Sequence, residues 1–288
     1  MTVRGMLARF ADNERVNYVL TNHIPRRTLT RFVGWLAKVE QPLVRDASIG
    51  LWRKFSDLDL SDARKSEFKS LHDVFVRELK DGARPVDQRR DIMASPCDAI
   101  VGAMGRIADG TLLQVKGSSY PLDELLRDPA LVERYSNAAY ITLRLTASMY
   151  HRFHAPHDGR VTRLSHIAGD AWNVNPPTLA RVPRVFCRNE RAVIEMTLAE
   201  GAHEIALVPV AAILVAGIKL NFAELPADRR HAGPWSRPCD ATFAKGQEMG
   251  WFEHGSTIIV LAPASLTPAP GIETGRTIRM GEPLMRLA

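Results

Sequence analysis

The chain has 288 residues, 45% hydrophobic and 24% charged, an ordinary composition that allows a sizeable core in one large domain or two modest ones. A formal charge of +6 favours anionic partners (nucleic acid, acidic lipid or a phosphorylated substrate) without choosing among them. The three cysteines, Cys97, Cys187 and Cys239, form no C-x-x-C pair and argue against a disulfide framework. The longest apolar stretch, 205–218 (IALVPVAAILVAGI), contains Pro209 and falls short of the roughly 20 residues a membrane span needs. The first residues lack the apolar core of a secretory signal, so no such leader is expected.

Taken in order, the first eighty or so residues read as helical. Residues 27–41 (RTLTRFVGWLAKVEQ) place Leu29, Phe32, Val33, Leu36 and Val39 at helical spacing, with Arg27, Arg31, Lys38 and Trp35 alongside. Ile49, Leu51, Trp52 and Phe55, with Arg53 and Lys54, repeat that character. Basic helices carrying Trp and Phe suit a membrane surface; packing on a core explains the same pattern equally well. A further helix is expected over 66–79 (SEFKSLHDVFVREL), ended by Gly82 and Pro85.

Beyond this point short apolar runs alternate with Gly and Pro turns: AYITLRL, GRVTRLSHI, ARVPRVFC, AVIEMTL, HEIALVPV, STIIVLAP and TIRMGEPLMRL. They read as strands of a mainly antiparallel β core. One helix interrupts them at PLDELLRD, with Pro121 in its first turn and Asp123 and Glu124 at the positive end of its dipole. The expected fold is α+β, with an N-terminal helical region over 1–85 and a β-rich catalytic domain over 86–288.

Phosphate loops, dinucleotide-binding glycine motifs, the H-E-x-x-H zinc motif and the G-x-S-x-G hydrolase elbow are all absent from the sequence. Residues able to carry chemistry concentrate in ASPCDAIV (94–101), in YHRFHAPHDGRVTRLSHIAGDAWNVNP (150–176) with FCRNER (186–191), and in FEHGSTIIVLAP (252–263). His151, His154 and His157 recur at intervals of three, which invites a metal reading. That spacing aligns side chains on a helix but not on a strand, and Pro156 and Gly159 argue against a helix, so no metal is expected. Cys97 and Cys187 read as small buried apolar residues, and His157 as a loop residue.

In this order, and together with FVRELKDGARPVD and KGSSYPLDELL, these blocks resemble the phosphatidylserine decarboxylases in their bacterial membrane-associated form, over nearly the whole chain. The resemblance implies a proenzyme that cleaves itself between Gly255 and Ser256, giving a large chain (1–255) and a small chain (256–288). Ser256 would attack the Gly255 carbonyl and, after elimination and loss of ammonia, become a covalent pyruvoyl group. Such a group is an electron sink for decarboxylating an amine, here phosphatidylserine to phosphatidylethanolamine and carbon dioxide. Matching motifs residue by residue makes Asp98 the orienting acid, His154 the base and Ser256 the nucleophile of self-cleavage, with His151 assisting decarboxylation or reprotonation. The same resemblance implies a peripheral enzyme on the cytoplasmic side of the bacterial cell membrane, meeting an anionic lipid surface rather than nucleic acid, and a homo-oligomer, a dimer.

Several residues keep two readings. Asp98 after Pro96 and Cys97 also suits a turn cap. Lys116, Ser118 and Ser119 offer a charge and hydroxyls to a substrate phosphate, or simply form a turn before a capped helix. His254, where the family pattern has Leu, lies two residues from Ser256 and is a rival base. The alternatives to a decarboxylase are a serine hydrolase using Asp98, His154 and Ser256 in an uncut chain, and a peripheral membrane module without chemistry.

Overall fold

In the computed structural model, which describes residues 33–113, 119–212, 217–226, 234–253 and 256–287, the alternating runs pair into one eight-stranded sheet. Its spatial order is Trp235–Phe243, Gly159–Ile167, Arg191–Leu198, Glu204–Ala211, Ser256–Ala262, Ala139–Leu145, Ala99–Arg106 and Thr277–Ile278. Every neighbouring pair is antiparallel. Helices precede this sheet and decorate it, so the α+β reading holds.

The central strand explains why the sequence showed apolar runs rather than clean alternation. All of Ser256–Ala262 is buried. Ile258 and Val260 face one cluster with Val101, Ile141 and Leu143, whereas Ile259 and Leu261 face a second with Tyr140, Val208 and Val210. A sheet covered on both faces hides both sets of side chains, each worth about 1.5–3 kcal/mol when fully buried. The first face is covered by a three-stranded sheet (Ile218–Leu220, Glu248–Phe252, Arg152–His154) through Phe153, Met249 and Phe252. The second is covered by the short helices Leu122–Leu126, Pro129–Tyr135 and Val185–Arg188 through Leu122, Leu125, Tyr135 and Phe186. Pro209 sits in an interior strand, where pairing with Arg191–Leu198 runs from Arg191↔Val210 to Ile194↔Leu207. With no amide hydrogen, Pro209 gives nothing to the ladder between those pairs.

Four expectations need correcting. The helix expected over 66–79 is confined to Leu71–Phe75, because the Ser70 hydroxyl caps it by accepting the Asp73 amide. ARVPRVFC is not a strand: Asn175 caps a helix over Pro176–Arg181, Arg184 turns left-handed, and a second helix follows at Val185–Arg188. TIRMGEPLMRL splits into Thr277–Ile278 and Pro283–Arg286 at Gly281, whose φ of +90° makes the turn. In PLDELLRD, Pro121 is the extended N-cap residue ahead of the Leu122–Leu126 helix rather than part of its first turn.

Of the first basic helix, 33–37 is helical and residues 1–32, with Arg27 and Arg31, lie outside the described residues. The second patch forms the Pro42–Phe55 helix, with Gln41 as N-cap and Arg53 and Lys54 in the last turn. Trp35, Leu43 and Leu51 are exposed at 63%, 78% and 59%. Trp52 instead turns inward and stacks on Phe75 at 5.6 Å. Trp52 is thus a packing residue, whereas Trp35, Leu43 and Leu51 stay on the surface. No helix among the described residues is long and apolar enough to cross a membrane.

Candidate active site

Antiparallel order brings strand starts and strand ends to the same edge of the sheet. At one edge, Ser256 opens its strand between Leu145 and Ala211, each the last residue of its own strand. Asp98 immediately precedes the Ala99–Arg106 strand, and Thr146 immediately follows Ala139–Leu145. Ser256 is fully buried on the face of Ile258 and Val260, and its hydroxyl has no hydrogen-bond partner among the described residues. A buried hydroxyl left unbonded costs about 1–3 kcal/mol, and the neighbouring Thr257 hydroxyl is in the same state. Gly255 and the rival base His254 lie outside the described residues.

His151 is held in the loop that leaves the strand opposite Ser256. A carbonyl can only accept, so His151 Nε2–H donates to the Thr146 carbonyl at 3.0 Å. The His151 carbonyl accepts the Phe252 amide at 2.9 Å, tying this loop to the segment leading into Ser256. The imidazole lies flat on Phe75, with centroids 3.9 Å apart. Through Phe75 and Trp52 the helical region thus reaches the ring proposed for turnover.

His154 closes the Arg152–His154 strand, and its backbone amide donates to the Pro96 carbonyl at 2.8 Å, placing it beside the segment that carries Asp98. Its Nδ1–H donates to the Gly246 carbonyl at 2.9 Å. Nε2 stands 3.0 Å from the Tyr150 hydroxyl. Burial lowers the His154 pKa, and the Gly246 carbonyl only partly opposes this, so the ring is neutral at pH 7. In that state Nδ1 carries the proton and Nε2 accepts one from Tyr150.

Asp98 and His154 make no hydrogen bond to each other. The Asp98 carboxylate is gripped by Arg84 through Nε (2.9 and 3.1 Å) and Nη2 (2.7 Å), and accepts the Met280 amide at 2.9 Å. Arg84 also reaches Asp62 through Nη1 at 2.9 Å. Burial opposes the Arg84 charge, yet its two carboxylate partners raise its pKa further.

The three spaced histidines diverge, since His157 lies between the carbonyls of Asp158 and Arg90, at 3.1 and 2.8 Å. Among the described residues no group of three His, Cys, Asp or Glu side chains is placed to share a metal ion. Burial pushes the Cys97 thiol well up and the Cys187 thiol up to about 12, which leaves both unreactive. Ser119 is exposed in the Ser119–Pro121 strand, while Lys116 and Ser118 lie outside the described residues. Sequence reasoning gave no role to Arg84, Tyr150 or Phe75. Arg84 and Phe75 act over separations in sequence that no local pattern encodes, and Tyr150 stood unremarked within the YHRFH block.

Residues 71–286 match the family model described as phosphatidylserine decarboxylase. The chain is 37% identical over 274 residues to the phosphatidylserine decarboxylase proenzyme of Photobacterium profundum, covering 91% of this chain and 94% of the relative. It is 36% identical over 281 residues to that of Vibrio parahaemolyticus (94% and 98%), and 35% identical over 286 residues to that of a Shewanella species (95% and 98%). With this extent of match on both lengths, the chain belongs to the phosphatidylserine decarboxylase family.

Proposed function

We propose that the chain is a proenzyme that cuts itself between Gly255 and Ser256 and then decarboxylates phosphatidylserine to phosphatidylethanolamine. The observation that supports this reading is the Ser256 hydroxyl: fully buried, without a partner among the described residues, and at the edge of the sheet where the loop to His151 leaves its strand and Asp98 enters the next but one. A neutral His154 is a competent base for the Ser256 proton. Asp98 fixes the charge beside it through Arg84 and anchors the Met280 amide.

Cleavage converts Ser256 into a pyruvoyl group, which supplies an electron sink for the departing carbon dioxide. His151 lies on the turnover side of the chemistry, held by Thr146 and Phe75, and manages the proton that replaces carbon dioxide. The catalytic domain spans 86–288. The region over 1–85 supplies a membrane-facing surface, supported by exposed Trp35, Leu43 and Leu51; the cytoplasmic face of the bacterial membrane and a homodimer complete this reading on the family resemblance alone. The serine hydrolase alternative predicts an uncut chain and is not favoured by relatives named as proenzymes.

The test is reductive trapping. With phosphatidylserine vesicles and cyanoborohydride, the lipid mass should attach to the small chain that begins at position 256. An adduct confined to lysines of the large chain would overturn Ser256 as the source of the carbonyl.

A further inference from the structure

The proton that replaces carbon dioxide must come from an acid, and burial works against an imidazole in that role because it favours the uncharged ring. His151 is fully buried, yet two contacts act the other way. At one edge Nε2–H donates to the Thr146 carbonyl at 3.0 Å, a bond that strengthens when the ring is charged. Across its face lies Phe75, with centroids 3.9 Å apart and planes 25° from parallel. That is closer than the about 4.5–7 Å at which neutral aromatic pairs usually settle. Phe75 is itself buried and stacked on Trp52, so it is held in place. The face of a phenyl ring is its negative side, and a cation within about 6 Å of the centroid is attracted to it, more strongly where water is excluded. The charged groups on the surrounding elements are bound to other groups. Arg77 donates to the Val74 and Ser148 carbonyls, and Arg152 pairs with Glu248 and Glu78. Asp73 pairs with Lys65 and Glu253 with Lys38. Of the other titratable neighbours, His72 has its pKa lowered by burial, and the Tyr150 hydroxyl stands at His154.

We propose that Phe75 is a positioning residue that keeps His151 in its protonated, proton-donating form through the face of its ring. This role rests on His151 acting in turnover. With Nε2–H committed to Thr146, the proton to be given is the one on Nδ1. The bond to the departing carbon dioxide breaks, its electron pair stays with the substrate carbon, and that carbon takes the Nδ1 proton. The neutral ring is then recharged by one proton from solvent, so each turnover consumes one proton. Phe75 exchanges no proton and acts only through His151. A leucine in its place would fill the space without offering a negative face.

The first measurement does not depend on activity. Full-length Ser256→Ala chains are labelled with carbon-13 at histidine Cε1, and the His151 signal is identified by its loss in His151→Gln. Its titration is followed by NMR with phenylalanine, 4-fluorophenylalanine, 3,5-difluorophenylalanine or 3,4,5-trifluorophenylalanine at position 75. Fluorine withdraws charge from the ring face while the stacked shape is kept, so a merely structural contact would not respond. The midpoint should fall with each fluorine added, by about one pH unit in all; the same midpoint in all four chains overturns the proposal. Phe75→Leu should lower it at least as far, and if that variant folds poorly the fluorinated series still decides. The second measurement is kcat on phosphatidylserine vesicles, normalised to the cut fraction, against pH. An acid is lost as pH rises through its midpoint, so a lower midpoint moves the alkaline limb to lower pH. A limb that stays in place across the series, with His151→Ala slow, overturns the proposal and leaves the role of His151 standing. Normal turnover by His151→Ala removes that role itself.

Discussion

The Arg84–Asp98 pair allows a stability effect to be worked out in advance and kept apart from chemistry. Their side chains are 10% and 9% exposed, and three contacts of 2.7–3.1 Å join them. Arg84→Met in a Ser256→Ala background, where no cleavage intervenes, leaves the buried Asp98 carboxylate with the Met280 amide alone. Breaking a buried ion pair from one side costs about 3–5 kcal/mol, and the surviving amide bond places this case near the lower figure. At roughly 2–4 °C per kcal/mol, the melting temperature should fall by roughly 6–12 °C. Asp98→Asn should cost less, because Arg84 keeps Asp62. The double variant should recover part of the loss, since neither charge is then stranded. The assay is thermal unfolding by circular dichroism of the four uncut chains at pH 7. A melting point within about 2 °C of the parent for Arg84→Met, or strict additivity in the double variant, would refute the buried-pair account.

The remaining predictions concern cleavage, turnover and the membrane. Because burial holds the His154 pKa below the ordinary histidine value, the base is neutral above it and protonated below. The cleavage rate should therefore be flat between pH 7 and 8 and fall only on acidification; an acid limb centred above pH 7 contradicts a buried neutral base. His154→Ala and Asp98→Asn should accumulate uncut chain, whereas His254→Ala should cut nearly normally. His151→Ala should cut but turn over slowly once activity is normalised to the cut fraction; normal turnover would make His151 structural. Phe75→Ala removes the ring stacked on His151 and should cost about 3 kcal/mol or more in stability while slowing turnover more than cleavage. Leu43→Glu with Leu51→Glu should weaken sedimentation with anionic vesicles without affecting cleavage; unchanged sedimentation would assign the Pro42–Phe55 helix to packing alone.

The legible parts of this protein are those in which a short stretch carries its own physical signature. AYITLRL and STIIVLAP became strands because runs of β-branched and apolar residues suit a sheet covered on both faces. ARVPRVFC carries a similar composition, yet Asn175 and the prolines after it start a helix just upstream, and capping decides over the apolar run. The family resemblance singled out Asp98, His151, His154 and Ser256 as candidates, and all four are buried in the structure. Their partners were not legible, because Arg84 reaches Asp98 and Gly246 reaches His154 over separations that sequence periodicity does not report. The expected Asp98–His154 pairing illustrates the difference: the two residues lie on neighbouring segments, but each is bonded to something else.

The central claim is that Ser256 is consumed by self-cleavage, and intact mass under denaturing conditions tests it most directly. The account predicts two polypeptides, one ending at Gly255 and one spanning positions 256–288. The smaller should be lighter by one ammonia than a fragment beginning with serine, and blocked to stepwise sequencing from its N-terminus. Ser256→Ala should give a single chain. A preparation that decarboxylates phosphatidylserine while every molecule retains the mass of the uncut chain would contradict the account.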